Sequence, residues 1–362
     1  MAQAETESAA LCWAEQQLGG ACERELLRRE ASLRYYYRLQ SDRGSWILMD
    51  ASAEVESAQS FLAVGEILQE LGLRVPATVA SESARGWLLL EDFGRQRLLE
   101  LLQARPEAAQ QWYPLAWAEL LKLQSSDNRN PALPVMDKAW AKRESMRVVE
   151  DFLPALSAFS GLSSPTSSGL TGGSKGDADN SWTPRIKRGA WAEGGLTGGS
   201  SSIVTAIDQL AEAVMAQPFC LSHRDFHAAN LMCLPDNELG VLDFQSAFYA
   251  PMTYDIASLL CDCYIDWPQE QVTLWLGEFY QQSPLAQKNF ADMAGFVQAF
   301  DEISLQRHLK CLGLFVRLGQ SGQPQYLDAL PRTMRYVQRV CEKDPRWEVF
   351  LPLIQAGQEV FG

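Results

Sequence analysis

Apolar and polar positions alternate over residues 33–39 and again over 45–49, the period-2 pattern of half-buried strands. Ser41-Asp42-Arg43-Gly44 between them reads as a tight turn, so the pair predicts a hairpin. Ahead of it, residues 7–18 carry apolar side chains at helical spacing, and Gly19-Gly20 can end that helix. Behind it, Val55, Ala58, Phe61, Leu62, Leu68 and Leu71 recur at about 3.6 residues, with Gly72 placed as a C-cap. Residues 75–80 and 87–93 predict two more strands around a turn at 81–86. The order is hairpin, helix, hairpin. One layer of antiparallel strands with a helix packed on it would bury both apolar faces.

After Gly94 the pattern turns helical, over 98–102, 108–123, 139–156, 203–216, 254–263, 272–282, 289–314 and 325–343. Residues 231–244 are the one strand-like passage there. The chain therefore reads as α+β and bilobal: a small antiparallel-sheet lobe over 1–94 and a larger helical lobe over 95–362. Residues 160–202 interrupt the second lobe with ten Gly and ten Ser in 43 residues. Too little apolar surface remains there to offset ordering, so a flexible insert is expected. The hexapeptide GLTGGS occurs in it twice, at 169–174 and 195–200, around Trp182, Trp191 and the basic run Arg185-Ile186-Lys187-Arg188.

A length of 362 residues suits two lobes better than one core. The net charge of −14 argues against nucleic acid or an anionic membrane as partner, because a negative field repels phosphate. No run approaches the roughly 18 apolar residues of a membrane span. The N-terminal ten residues lack the basic and apolar regions of a secretory signal. The eight cysteines include no CxxC pair, so reduced thiols in a cytoplasmic protein are expected rather than zinc or a redox dithiol.

The chemistry concentrates in His223-Arg224-Asp225-Phe226-His227-Ala228-Ala229-Asn230 and, thirteen residues beyond Asn230, in Leu242-Asp243-Phe244-Gln245. Phosphoryl transfer needs an acceptor hydroxyl held in line, a carboxylate for its proton, and Mg²⁺ to draw charge from the phosphates. Asp225 offers a carboxylate at the start of a loop. Asn230 offers an amide oxygen at its end, and Asp243 a second carboxylate after an apolar strand. A hairpin over 231–244 would set Asn230 beside Asp243, spaced for Mg²⁺. His223 reads as a buried loop organiser. His227 reads as a loop brace or a substrate contact, and neither histidine has the companions of a metal site.

These motifs resemble the aminoglycoside phosphotransferase-like branch of the protein-kinase-like fold. Within it they are most similar to the bacterial kinases that phosphorylate N-acetylmuramate and N-acetylglucosamine at the anomeric hydroxyl. Supporting stretches are Ser32-Leu33-Arg34-Tyr35-Tyr36-Tyr37-Arg38, Ile47-Leu48-Met49-Asp50-Ala51, Leu88-Leu89-Leu90-Glu91-Asp92-Phe93-Gly94 and the run from Tyr254 to Tyr264. The resemblance implies ATP and Mg²⁺ as donor and cofactor. It makes Asp225 the catalytic base and Asn230 and Asp243 the metal ligands. It places adenine on the backbone of a hinge spanning Glu91, Asp92, Phe93 and Gly94. Asp255 would brace the loop, and Gln245, where protein kinases carry glycine, would lie at the substrate side with His227. The product would be a sugar 1-phosphate for cell-wall recycling.

The first lobe departs from protein kinases in two ways. It contains no lysine, the first in the chain being Lys122, and no glycine lies between Gly20 and Gly44 to cradle phosphates. Arg34 and Arg38 are the nearest cations, either phosphate-gripping or solvated strand charges. The intervening Tyr35-Tyr36-Tyr37 alternates faces, so at least one tyrosine is expected in the core. Two other readings stay open: a kinase for an aminoglycoside, choline or similar alcohol, and an inactive kinase-like scaffold.

Overall fold

The computed structural model describes residues 2–27, 33–125, 129–160 and 199–362. In chain order the elements are α1 (Ala2–Leu18), β1 (Glu23–Leu26), β2 (Tyr35–Ser41), β3 (Gly44–Asp50), α2 (Val55–Glu70), β4 (Thr78–Glu82), β5 (Trp87–Glu91), α3 (Leu98–Ala104) and α4 (Ala109–Gln124). There follow α5 (Lys138–Arg147), α6 (Leu153–Ser160), α7 (Gly199–Met215), β6 (Phe219–Ser222), β7 (Leu231–Cys233), β8 (Leu239–Val241) and β9 (Phe248–Pro251). The remainder is helical: α8 (Tyr254–Leu260), α9 (Gln269–Gln282), α10 (Pro284–Asn289), α11 (Met293–Gln320), α12 (Leu330–Lys343) and α13 (Leu351–Phe361). Contacts divide these into two compact units, Met1–Val135 with Pro218–Met293, and Met136–Gln217 with Ala294–Gly362. Residue 94 falls inside the first unit, which joins the sheet to the segment bearing Asp225 and Asp243.

The sheet of the first unit is antiparallel in the order β1-β2-β3-β5-β4, with Tyr37 opposite Leu48 and Met49 opposite Leu88. Tyr37, Leu39, Leu48, Trp87 and Leu89 point to one face, where Ala10, Leu11, Ala14 and Leu18 of α1 cover them. Strand pleating sends Tyr36, Arg38, Met49 and Leu88 to the other face. Two features go beyond the hydrophobic pattern. The helix expected over 7–18, α1, covers the sheet as a second helix, and β1 adds a fifth strand. The β1 sequence, Glu-Arg-Glu-Leu, is largely exposed. An edge strand needs backbone pairing rather than apolar alternation, so it gives no period-2 signal.

Past α4 the unit continues in two small antiparallel pairs, β6 with β9 and, between them in the chain, the hairpin β7 with β8. The second occupies the strand-like passage at 231–244, in the register Leu231 opposite Val241. The second unit is helical, with Phe152, Ile207, Leu210, Ile303, Leu309, Met334, Trp347 and Phe350 in its core. The continuous helix expected over 139–156 is interrupted by a π turn at Val148–Phe152. Residues 161–198 of the Gly/Ser-rich insert lie outside the described residues, with both GLTGGS motifs largely among them. Among the described residues no helix is long and apolar enough to cross a membrane. All eight cysteines are free thiols.

Candidate active site

Strand β6 delivers its chain directly into the loop that carries Asp225. The carboxylate of Asp255, in the first turn of α8 and buried, accepts the His223 amide at 2.6 Å and the Arg224 amide at 3.0 Å. These bonds hold Arg224 at φ 83°, a left-handed conformation that a side chain with a Cβ rarely adopts. The fully buried His223 ring stands edge-on to Phe226, with centroids 5.6 Å apart. Its Nε2 lies 2.9 Å from the Leu242 carbonyl; that oxygen only accepts, so Nε2 carries the proton. Burial holds the His223 pKa below the ordinary range, against the opposing pull of the Asp225 and Asp243 carboxylates. His223 is thus a neutral strut between the two acidic segments.

Asn230 closes the loop. Its Nδ2 donates to the Asp225 carbonyl at 2.9 Å, which leaves its Oδ1 as an acceptor. Its own carbonyl accepts the Leu242 amide at 2.9 Å. Leu242 is therefore clamped on both sides, by Asn230 through N–H and by His223 through C=O. The next residue, Asp243, has φ 60°. Its Oδ1 accepts from Gln245 Nε2 at 2.7 Å and pairs with Arg34 Nη2 at 3.1 Å. Phe244 turns inward against Phe61 of α2, centroids 4.5 Å apart. One amide oxygen and one carboxylate are a donor set that fits Mg²⁺, a hard cation that takes few protein ligands and fills its shell with phosphate oxygens and water. Among the described residues no cluster of three or more His, Cys, Asp or Glu side chains suits another metal.

The two candidate phosphate cations part company. Arg34 reaches Asp243. Arg38 turns to the segment after β5, where Asp92 takes its Nε and Nη2 at 2.7 and 3.0 Å and the Gly94 carbonyl accepts at 2.7 Å. Asp92 also accepts from Ser45 and the Gly94 amide. Burial pushes the Asp92 carboxyl pKa up, but these bonds together outweigh it and leave the value lowered. Gly94, at φ 84°, makes the turn that wraps this segment around the Arg38 guanidinium. Glu91 is held by Arg74, whose hydrogen bonds keep its carboxyl pKa low, and accepts the Ala77 amide. The Phe93 ring has the Arg74 guanidinium 4.7 Å from its centroid. It also lies so close to Gly240 of β8 that a Cβ there would meet it at 2.6 Å.

An Asn and an Asp set to hold Mg²⁺ are common to protein kinases at large. A whole-chain comparison decides the family. The model of the phosphotransferase enzyme family (APH) matches residues 23–291. The chain belongs to this family. An N-acetylmuramate/N-acetylglucosamine kinase of Pseudomonas putida is 33% identical over 318 residues, 87% of this chain and 83% of the relative. The kinase of the same name from Pseudomonas aeruginosa is 30% identical over 321 residues, with the same two coverages. Among solved structures, choline kinase LicA from Streptococcus pneumoniae superposes with a TM-score of 0.56 at 11% identity, over 93% of this chain and 99% of that one. The ADP-bound aminoglycoside phosphotransferase APH(2'')-Ib gives 0.55 at 15%, over 94% and 98%. These distant likenesses establish the protein-kinase-like fold.

Within this phosphotransferase the remaining expected site residues lie as follows. His227 packs edge-on to Tyr264, centroids 5.7 Å apart. Gln245 sits beside Asp243 and also lines a cavity of about 430 Å³ with Arg224, Ser246 and residues of α2. One residue escaped the sequence reading. Asp262, buried two residues past α8, accepts the Ala228 amide at 3.1 Å and the Tyr264 amide at 2.8 Å.

Proposed function

We propose that this phosphotransferase transfers the γ-phosphoryl group of ATP to the anomeric hydroxyl of N-acetylmuramate, N-acetylglucosamine or both, giving the sugar 1-phosphate for cell-wall recycling. The observation that carries this reading is the 33% identity, over 87% of the chain, to a kinase so named; the bonds from the Asn230 side chain to the Asp225 carbonyl and from the Leu242 amide, next to Asp243, to the Asn230 carbonyl support it. Asp225 takes the proton of the acceptor hydroxyl as the oxygen attacks phosphorus and the bond to the ADP oxygen breaks. Asn230 and Asp243 would hold Mg²⁺, which when bound neutralises phosphate charge. Arg34 takes the place of the missing strand lysine and grips phosphate oxygens. Met49, buried in the central strand β3, has no charge to offer. Arg38 holds the Asp92–Gly94 turn so that the Glu91–Gly94 backbone can meet adenine. The functional division is a nucleotide lobe over 1–94 and a catalytic lobe over 95–362.

The test is ADP release from Mg-ATP against N-acetylmuramate, N-acetylglucosamine, kanamycin and choline. Turnover with either sugar, and phosphate appearing at its anomeric carbon by ³¹P NMR, is expected. Turnover with only a cationic alcohol would replace the acceptor. ATP binding without turnover on any of them would replace the enzyme with a scaffold.

A further inference from the structure

The loop from His223 to Asn230 is held at two places by two carboxylates. Asp255 fixes its entrance, the amides of His223 and Arg224. Asp262 fixes its far half, through Ala228. Ala228 directly follows His227, whose amide is bound to the Asp225 carbonyl and whose carbonyl accepts from the Asn230 amide. Anchoring Ala228 therefore fixes the peptide between His227 and Asn230. The same Asp262 carboxylate takes the Tyr264 amide with its other oxygen, and the Tyr264 ring is the one against which His227 packs.

One buried group thus sets both members of the His227–Tyr264 pair. Aromatic rings cluster nearby. Trp267 donates to the Tyr113 hydroxyl at 2.7 Å and stands edge-on to both Tyr113 and Trp275, and Tyr113 and Trp275 are tilted against each other with centroids 4.6 Å apart. A buried carboxylate is costly unless its oxygens are bound, and a hydrophobic residue here would leave two backbone donors unmet. Burial first and the Asp262 charge second raise the Tyr113 pKa, which places that charge close by.

The geometry points to Asp262 as a positioning residue for the acceptor end of the catalytic loop: it fixes the His227–Tyr264 pair as a wall beside Asp225, whereas Asp255 fixes the base itself. This rests on the reading that the loop serves an acceptor hydroxyl. It assigns acceptor recognition, and not nucleotide recognition, to a buried carboxylate that touches neither.

Asp262→Asn tests it, since an amide keeps the shape but presents one oxygen to two N–H donors. The chain has only three histidines, so their ring Cε1–H resonances can be assigned with His227→Gln. In the ligand-free variant the His227 resonance is expected to move, because its place relative to the Tyr264 ring changes, while that of His308 in the second unit stays. The acceptor KM is expected to rise about tenfold, the effect of one lost hydrogen bond, with ATP affinity by direct titration held within about twofold. An unmoved His227 resonance, or an ATP affinity that falls as far as acceptor affinity, overturns the assignment. If Asp262→Asn does not fold, Tyr264→Ala must give the same resonance shift and the same acceptor-only loss, and its failure to do so is equally fatal. Kinetics use whichever alcohol turns over. A moved His227 in a protein inert towards amino sugars would therefore sink the proposed acceptor and leave the role of Asp262 standing.

Discussion

Asp255→Asn isolates what the buried brace contributes. Asp255 is 5% exposed, and its two oxygens each accept one backbone N–H of the catalytic loop, at 2.6 and 3.0 Å. A hydrogen bond to a charged group contributes about 1.5–3 kcal/mol, and a buried donor left without a partner costs about 1–3 kcal/mol. Asparagine retains one oxygen, uncharged, and turns an NH₂ towards the other amide. The loss of unfolding free energy should be about 2–4 kcal/mol on that basis. The released amide is that of His223 or Arg224, directly ahead of Asp225, so turnover should fall at least about tenfold in the protein that remains folded. The nucleotide contacts proposed at 91–94 are untouched, and ATP affinity should hold. Urea denaturation with matched m-values measures the first quantity, and steady-state ADP release with direct ATP titration the others. A variant within about 0.5 kcal/mol of the parent, the range of an ordinary surface change, would mean that the two hydrogen bonds do not hold the loop.

Asp225→Asn should keep nucleotide affinity and lower kcat about a hundredfold or more, as loss of a general base requires; unchanged turnover removes Asp225 from the mechanism. Arg34→Gln should raise the KM for ATP about tenfold or more through loss of a charge-assisted contact, and Arg38→Gln should act mainly on stability by stranding Asp92. If Arg38→Gln alone weakens ATP with stability intact, the roles of the two arginines are reversed. His223, held below the ordinary histidine value of about 6.5 by burial, gives a pH prediction. Its contribution to stability is complete above that value and is lost as pH falls through the window down to the depressed native pKa, because only the unfolded chain binds the proton there. His223→Gln should flatten that acid limb in a series of denaturation curves, and an unchanged limb would rule His223 out as its source.

The parts legible in the sequence were those with local or periodic signals. The β2–β3 hairpin, α2 and the β7–β8 hairpin follow from period and turn residues within a few positions. Tyr37 is in the core, as alternation required. What escaped depends on distant partners. Strand β1 is a strand only because β2 offers an edge to Glu23–Leu26. The division of labour between Arg34 and Arg38 is set across 209 and 54 residues of chain, by Asp243 and Asp92. Asp262 resembles any acidic residue after a helix until Ala228 is seen above it. Covalent spacing announces a motif; the groups that hold it in place are chosen by the fold.

Of the three left-handed residues other than glycine among the described residues, Arg224 and Asp243 lie in the 223–230 loop and directly after Leu242, and they are not equivalent. Aspartate is among the few residues that tolerate this conformation, whereas arginine has no local compensation and pays about 1–2 kcal/mol for it. The strain persists because Asp255 holds the Arg224 amide, as expected where a functional site is over-determined by its surroundings. A comparison of Arg224→Gly with Arg224→Ala separates this backbone term from the loss of the side chain, which both variants share. At an ordinary position glycine is the less stable of the two by roughly 0.5–1 kcal/mol, through its unfolded-state entropy. At φ 83° the sign should invert, with the glycine variant matching or exceeding the alanine variant in urea denaturation. Activity should run the other way. Glycine can leave the left-handed region at little cost, so the loop ahead of Asp225 loses its fixed entrance and kcat falls further than in the alanine variant. An alanine variant that is clearly the more stable would show that position 224 relaxes to an ordinary conformation in solution, and that the brace at Asp255 holds no strain.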